Sequence, residues 1–408
     1  MKILFLSHCV PFPPNKGEKI RAYNEIRYLA ERNDVSVLAL ARYGESDAEA
    51  DALRGFCELV EVFPLDRKGA LLRVAVGFLQ RSKPLTLSYF WSRSLATRVK
   101  ELSKENDYDV VMAYTCAMAP YADLVSARAK VLDLVDVDSS KWSQYSEVAR
   151  FPKKAVYALE SGRLRTYEKT LGSRFDRLFV TTSRELNLLH DGELTGGADA
   201  IRNGVDFDFY GEASEQRSAN PRIVFTGQMD YFGNESGIVH FAVKIFPSLR
   251  RRFPDLELHI VGRSPTVRVR KLAEMDGVTV TGEVPDIRPF LRQAWVFVAP
   301  LQIAQGVQNK VLEAMATGLP VVCSERVMSG LLDGGFRPGQ DVMVAASDTE
   351  FEEKTAALIS DAELRMAIAK RARRQVLESY SWDRNMNILQ GRLLELAGAG
   401  VLDACANN

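Results

Sequence analysis

The densest chemistry in this 408-residue sequence lies in Ile303–Gly318, which reads IAQGVQNKVLEAMATG. It follows the apolar run Trp295–Ala299, and its later half has the spacing of a helix that closes at Gly318, ahead of Pro320. Gly306 lets backbone come close to a ligand. The N–H groups of Gly306, Val307 and Gln308, at the expected helix start, then point at an anion such as a diphosphate. Lys310 falls in the first turn, where a cation opposes the helix dipole, and an anionic ligand would resolve that conflict. Glu313, one turn on, has the lone pairs to accept from two vicinal hydroxyls. The plainer alternative is a solvated Lys–Glu pair at an ordinary helix start.

Two further loops carry candidates. Pro11–Arg21 (PFPPNKGEKIR) follows the first apolar run. Its prolines stiffen the chain, Gly17 permits close backbone approach, and Lys16, Lys19 and Arg21 are cations for an anion. A solvated first turn is the alternative. Beyond Lys130–Val135 stands Asp136-Val137-Asp138-Ser139-Ser140. A carboxylate at a strand end can bind a hydroxyl or steady a developing positive charge, the role expected of Asp136. Asp138, ahead of two serines, also reads as a helix N-cap. Asp136–Asp138 and Asp206–Asp208 both match Asp-x-Asp, yet a hard cation needs several converging oxygens and no others are visible nearby. No metal is therefore expected. His259 sits inside a strand and reads as structural, while His190 and His240 fall in helical stretches. His8, at the first strand's end, either lines a cleft or fills a plain strand-end role.

Short apolar, β-branched runs alternating with helical stretches must position these loops. In the first half they are Lys2–Leu6, Val35–Leu40, Leu59–Phe63, Asp109–Ala113, Lys130–Val135 and Leu178–Thr182. The rhythm restarts at Arg222–Thr226 and continues through Leu256–Val261, Val278–Thr281, Trp295–Ala299 and Leu319–Cys323. Continuous apolar strands between helices imply parallel sheets covered on both faces. The fold class expected is α/β, with two doubly wound, Rossmann-like domains facing each other across a cleft. Their spans are 1–212 and 213–382, joined at the polar segment Gly211–Pro221, and the last helix (383–408) packs back on the first domain.

The 53 basic and 53 acidic residues cancel, which speaks against nucleic acid as a partner. Five scattered cysteines without metal-ligand spacing suit a reduced, cytoplasmic setting. Met1–Ser7 is too short an apolar stretch for a signal peptide. Residues 67–100 stand apart: Arg67, Lys68, Arg73, Arg81, Lys83, Arg93, Arg98 and Lys100 occur there with no acidic residue, among leucines and aromatics. That pattern describes either a surface for anionic lipid headgroups or a packed helix with solvated cations.

EAMATGLPVV (Glu313–Val322) resembles the signature of retaining nucleotide-sugar glycosyltransferases of family four, which have the GT-B fold. NGVD (Asn203–Asp206), GQMDYFGN (Gly227–Asn234), HIVG (His259–Gly262), VTGE (Val280–Glu283) and YSW (Tyr380–Trp382) follow in that family's order. QNKVLEAMA and FPPNKGEKIR are similar to the branch encoded with exosortase (PEP-CTERM) exopolysaccharide systems. The resemblance implies a metal-independent transferase without cofactor, using a nucleotide-diphosphate sugar and a glycan or lipid-linked acceptor. It would work in the cytoplasm or peripherally on the inner face of the membrane. Glu313 matches the second glutamate of the family's Glu-x7-Glu pair and is implied to bind ribose; the first falls at Gln305, which carries no charge. Gly227, Gln228 and Asn234 fall in the loop where the family places a basic pair for diphosphate. This chain has none there, leaving Lys310, helped by Arg263, to supply charge. Gly282–Val284 is implied to meet the base through backbone. Lys16, Gly17 and Arg21 fall in the implied acceptor or phosphate loop. Two other readings remain open: a nucleotide-sugar epimerase or hydrolase of this fold, and a degenerate nucleotide-sugar-binding protein, for which Gln305 speaks.

Overall fold

The computed structural model describes residues 1–42, 44–80, 83–190, 197–211 and 217–398. Arg81, part of the expected linker and the chain beyond Gly398 lie outside them, as does the His190 side chain. The chain divides into two compact units, Met1–Arg202 with the segment from Asp383, and Asn203–Trp382.

In the first unit seven strands form one sheet: β1 (Lys2–Ser7), β2 (Asp34–Ala41), β3 (Leu59–Pro64), β4 (Tyr108–Tyr114), β5 (Ala127–Val135), β6 (Arg177–Val180) and β7 (Gly197–Ala200). Their spatial order is β3-β2-β1-β4-β5-β6-β7, and every pairing is parallel. Ile3–Leu6 and Val110–Ala113 are fully buried, because helices cover both faces and leave these strands no polar side. The helix Trp382–Leu396 is tied to this unit: Tyr28 donates to Asn387 and Asn33 Nδ2 to Gln390 Oε1 at 2.8 Å.

The second unit repeats the plan with β8 (Arg222–Thr226), β9 (Glu257–Val261), β10 (Val278–Gly282), β11 (Val296–Ala299), β12 (Val321–Ser324) and β13 (Met343–Ala345), in the order β10-β9-β8-β11-β12-β13. All five pairings are again parallel. Each unit thus has the strand order of a Rossmann sheet, reversing between its first and fourth strands, where loops diverge and leave a crevice. Two strands were not anticipated. β7 (GADA) lacks branched apolar residues and β13 has only three residues, so neither carries a readable apolar run. The division between units also falls earlier than the polar segment at 211–221. Val205, Phe207 and Tyr210 pack with the second core, and Val205 bridges to Ser381.

Candidate functional site

The loops leaving β8 and β11 flank the switch point of the second sheet, and most of the expected donor-side residues meet there. Gly227 begins the first loop with φ +152°, and a Cβ on it would stand 2.8 Å from Asn234 Nδ2 and 3.2 Å from Lys310 Nζ. Only glycine suits that backbone and that spacing. Asn234 Nδ2 donates to the Gln228 carbonyl at 2.8 Å, while Asn234 Oδ1 accepts from Lys310 Nζ. Lys310 also lies 4.9 Å from the centre of the Phe225 ring. Arg263, after β9, donates to Gln228 Oε1 at 3.3 Å. Gln228, Asn234, Arg263 and Lys310 therefore form one hydrogen-bonded group drawn from the segments that follow β8, β9 and β11.

The α-helix itself spans Asn309–Ala316. Gly306, Val307 and Gln308 precede it as loop rather than lying in its first turn, because Gly306 has φ +54°. Gln308 occupies the N-cap position, but its side chain donates to the Gln305 carbonyl at 2.9 Å instead of accepting from the helix. Lys310 is half-buried one position into the helix, and burial lowers its pKa to about 7, with Glu313 working the other way. Burial likewise raises Glu313 to about 7, against the pull of Lys310 and of a hydrogen bond from Tyr210. Two groups of opposite type thus titrate near neutrality side by side, which marks a functional site more often than a structural one. Gly282 ends β10 and Val284 lies just beyond it. The Gly282 carbonyl accepts from Gly262 N–H at 3.1 Å, and Val284 packs against the core.

Sequence reasoning missed two members of this group. Tyr210 reaches Glu313, and Asn203 Nδ2 donates to Asn309 Oδ1 at 3.0 Å. The stretch Asn203–Tyr210 therefore clasps the helix start, a contact without a local sequence signal because a hundred residues intervene.

The first unit departs from expectation. Arg21 was expected to contact a ligand anion. Instead its guanidinium is fully buried, donating to Asp133 Oδ2 at 2.6 Å and to the Ile201 carbonyl at 2.8 Å, with Glu25 Oε1 at 2.9 Å. Burial and Asp133 push the Glu25 carboxyl well up, more than Arg21 offsets. Lys19 is likewise turned inward, 3.1 Å from Glu45. Lys16 is half-buried and precedes the helix Gly17–Ala30, accepting Ile20 N–H on its carbonyl at 2.8 Å. Gly17 is exposed, and a Cβ there would meet nothing within 4 Å.

Asp136 follows β5 directly. Val135 before it has φ +66°, a strained value for a β-branched residue, and Asp133 Oδ1 accepts the Val135 N–H at 2.8 Å to hold the turn. Thr181 Oγ1 donates to Asp136 at 3.1 Å; burial raises the Asp136 carboxyl, against Lys141. Of the Asp-x-Asp matches, Asp138 takes a hydrogen bond from the Cys116 thiol at 3.0 Å and Asp206 accepts Phe209 N–H at 2.9 Å.

Two Rossmann-like, parallel-sheet units in one chain are the architecture of GT-B glycosyltransferases, and the fold matches such structures. The structure of Anabaena Alr3699/HepE in complex with UDP and glucose superposes with a TM-score of 0.67, covering 97% of this chain and 100% of that one at 15% identity. Residues 220–361 match the family model described as glycosyl transferases group 1. The lipopolysaccharide core biosynthesis mannosyltransferase LpsB of Rhizobium meliloti is 28% identical over 55% of this chain and 66% of its own. The phosphatidyl-myo-inositol mannosyltransferase of Mycolicibacterium smegmatis is 25% identical over 74% of this chain and 75% of its own. Glycosyltransferase is the activity that family model, relatives and fold together support.

Proposed function

We propose that this protein transfers a sugar, with retention at the anomeric carbon, from a nucleotide-sugar donor to a glycan or lipid-linked acceptor in cell-surface polysaccharide synthesis. The observation that carries the reading is the group at the β8/β11 switch point: Lys310 held on Asn234 beside a glycine-only loop, with Glu313 one turn on. In this reading a diphosphate meets Lys310 and the N–H groups at the start of Asn309–Ala316, and Glu313 takes the ribose hydroxyls. Lys310 and the helix dipole stabilise charge on the leaving diphosphate, which itself accepts the acceptor proton on the same face. No metal enters the proposal, since Asp138 and Asp206 are already engaged by Cys116 and by Phe209 N–H. A thermal-shift screen against UDP-, GDP- and ADP-sugars tests it. One of them should raise the melting temperature progressively with concentration, by mass action on the folded state. No response to any of the three would overturn the reading.

A lipid-linked acceptor fits the surface of residues 67–100. On the helix Arg67–Leu79, Leu72 is 67% and Leu79 85% exposed, and Leu71, Val76 and Phe78 are exposed beside Arg67 and Lys68. Arg98 does not belong to this surface, because Glu61 holds it at 2.9 Å. Among the described residues no helix is long and apolar enough to cross a membrane, so any contact would be interfacial. Replacing Leu72 and Leu79 with serine and Lys68 with glutamate should abolish co-sedimentation with vesicles containing phosphatidylglycerol. Thermal response to the donor should be unchanged. Undiminished sedimentation would remove the membrane surface from the proposal.

A further inference from the structure

The second unit opens with Asn203–Tyr210, and this stretch holds the helix Asn309–Ala316 at either end of its first turn. Asn203, only 6% exposed, donates from Nδ2 to Asn309 Oδ1 at 3.0 Å. One turn further on, the Tyr210 hydroxyl hydrogen-bonds Glu313.

The stretch is fixed by the protein itself. A Cβ on Gly204 would stand 2.5 Å from Trp382, so only glycine fits there. The Val205 N–H donates to the Tyr380 carbonyl at 2.9 Å. Asp206 then closes a tight turn: its carboxylate accepts Phe209 N–H at 2.9 Å, and its carbonyl accepts Tyr210 N–H at 2.8 Å. The Tyr210 ring packs against the second core, and the Phe209 ring stands edge-on to it with centroids 4.9 Å apart. A phenol held by turn, core and neighbouring ring has little rotamer freedom left to lose when it bonds Glu313.

What Tyr210 supplies follows from the groups around it. Besides Glu313, the carboxylates of Asp206 and Asp286 bear on its hydroxyl. Asp206 is engaged by Phe209 N–H, and Asp286 by Arg288 at 2.8 Å. Burial, then Glu313, pushes the phenol well above its usual range, so it stays protonated and its one proton goes to Glu313. A carboxylate has about four lone-pair sites, so this single bond leaves places for two vicinal hydroxyls. It also fixes a group whose terminal torsion is otherwise broad. Burial pushes Glu313 up to about 7, and Lys310 and Tyr210 are what oppose that rise. Without the hydroxyl, Glu313 would be both less well aimed and less often charged, hence a poorer acceptor.

We propose that Tyr210 is the positioning residue for Glu313, aiming its carboxylate at the ribose hydroxyls so that the site selects ribonucleotides over 2′-deoxyribonucleotides. The inference rests on the transferase reading, which gives Glu313 a ribose to hold. Calorimetric titrations of the full chain at pH 7 with UDP, GDP and ADP, and with their 2′-deoxy forms, test it. The wild type should bind one ribonucleotide about 10- to 100-fold more tightly than its deoxy form, the range for a hydrogen bond to a charged acceptor. Tyr210→Phe keeps the ring on the core and should narrow that ratio about 3- to 10-fold, by weakening the ribonucleotide more than the deoxy form. Glu313→Gln should narrow it as well. Adding Tyr210→Phe to Glu313→Gln should change the ratio no further, because the hydroxyl acts through the carboxylate. A tyrosine with a purely structural role would weaken both forms alike and leave the ratio intact. That outcome, equal binding of the two forms by the wild type, or a second narrowing in the double variant overturns the inference. If none of the three ribonucleotides binds the wild-type chain, the transferase reading itself falls, since it requires a diphosphate site, and this inference falls with it.

Discussion

Lys310→Ala should lower kcat/KM for sugar transfer by about 10²- to 10³-fold, the usual cost of removing one preorganised group facing developing negative charge. The drop should lie mainly in kcat, because charge on the leaving diphosphate grows toward the transition state. A structural role would act differently. Lys310 sits where burial lowers its pKa from 10.5 to about 7, so folding disfavours its charged form. Its contribution to stability therefore rises with pH from about 7 toward 10.5, and at or below neutrality the charge is a burden on the fold. The alanine variant should melt no lower than wild type at pH 7, separating function from folding.

The same pKa predicts a pH profile. A diphosphate needs the protonated lysine, so affinity for a nucleotide sugar should fall above about pH 7, approaching tenfold per pH unit. Lys310→Arg should remove that alkaline decline, since a guanidinium stays charged. Calorimetric titrations of the stabilising nucleotide sugar at several pH values read both effects. A flat wild-type profile, or a near-normal kcat/KM in Lys310→Ala, would count against the assigned role.

Arg21→Ala should destabilise the first unit by about 3–5 kcal/mol, the range for a broken buried ion pair. Without the guanidinium, Asp133 and Glu25 face each other at 0% exposure with no cation. The deficit should narrow as pH falls from 7 toward 5. Glu25 is already raised by burial and by Asp133, losing the guanidinium removes what pulls it down, and such a group loses stability as pH rises through its folded value. Arg21→Lys should restore little, because one ammonium cannot span Asp133, Glu25 and the Ile201 carbonyl at once. Urea unfolding combined with hydrogen exchange of β1 and β5 amides locates the loss in the first unit. A loss below about 1 kcal/mol would instead fit a solvated arginine available to a ligand. Asp133 also holds the Val135 turn through its other oxygen. The variant should therefore loosen the presentation of Asp136, whose carboxylate accepts from Thr181.

These two cations show how far sequence reading reaches. Lys310 and Arg21 look alike on paper: each follows a glycine-bearing loop near a helix start. Local order suffices for Lys310, because loop, helix opening and Glu313 are contiguous and a helix places residues three and four apart on one face. Glu25 is a local i,i+4 partner of Arg21, but the other two, Asp133 and Ile201, lie 112 and 180 positions away, and no local rule points to them. The strand–helix alternation was equally legible, since a strand buried on both faces must be apolar throughout. The edge strands β7 and β13 escaped because their short, plain sequences need no such pattern.

By itself, then, the sequence determined the α/β plan, the repeat of that plan in two units and the placing of Lys310 and Glu313 on one short helix, all consequences of burial and helix geometry acting over a few residues. Tertiary structure alone decided that Arg21 is spent on Asp133, Glu25 and the Ile201 carbonyl, and that Tyr210 grips Glu313. The physical reason is that hydrogen bonds and ion pairs depend on distance in space, which a parallel sheet makes small between residues a hundred or more positions apart.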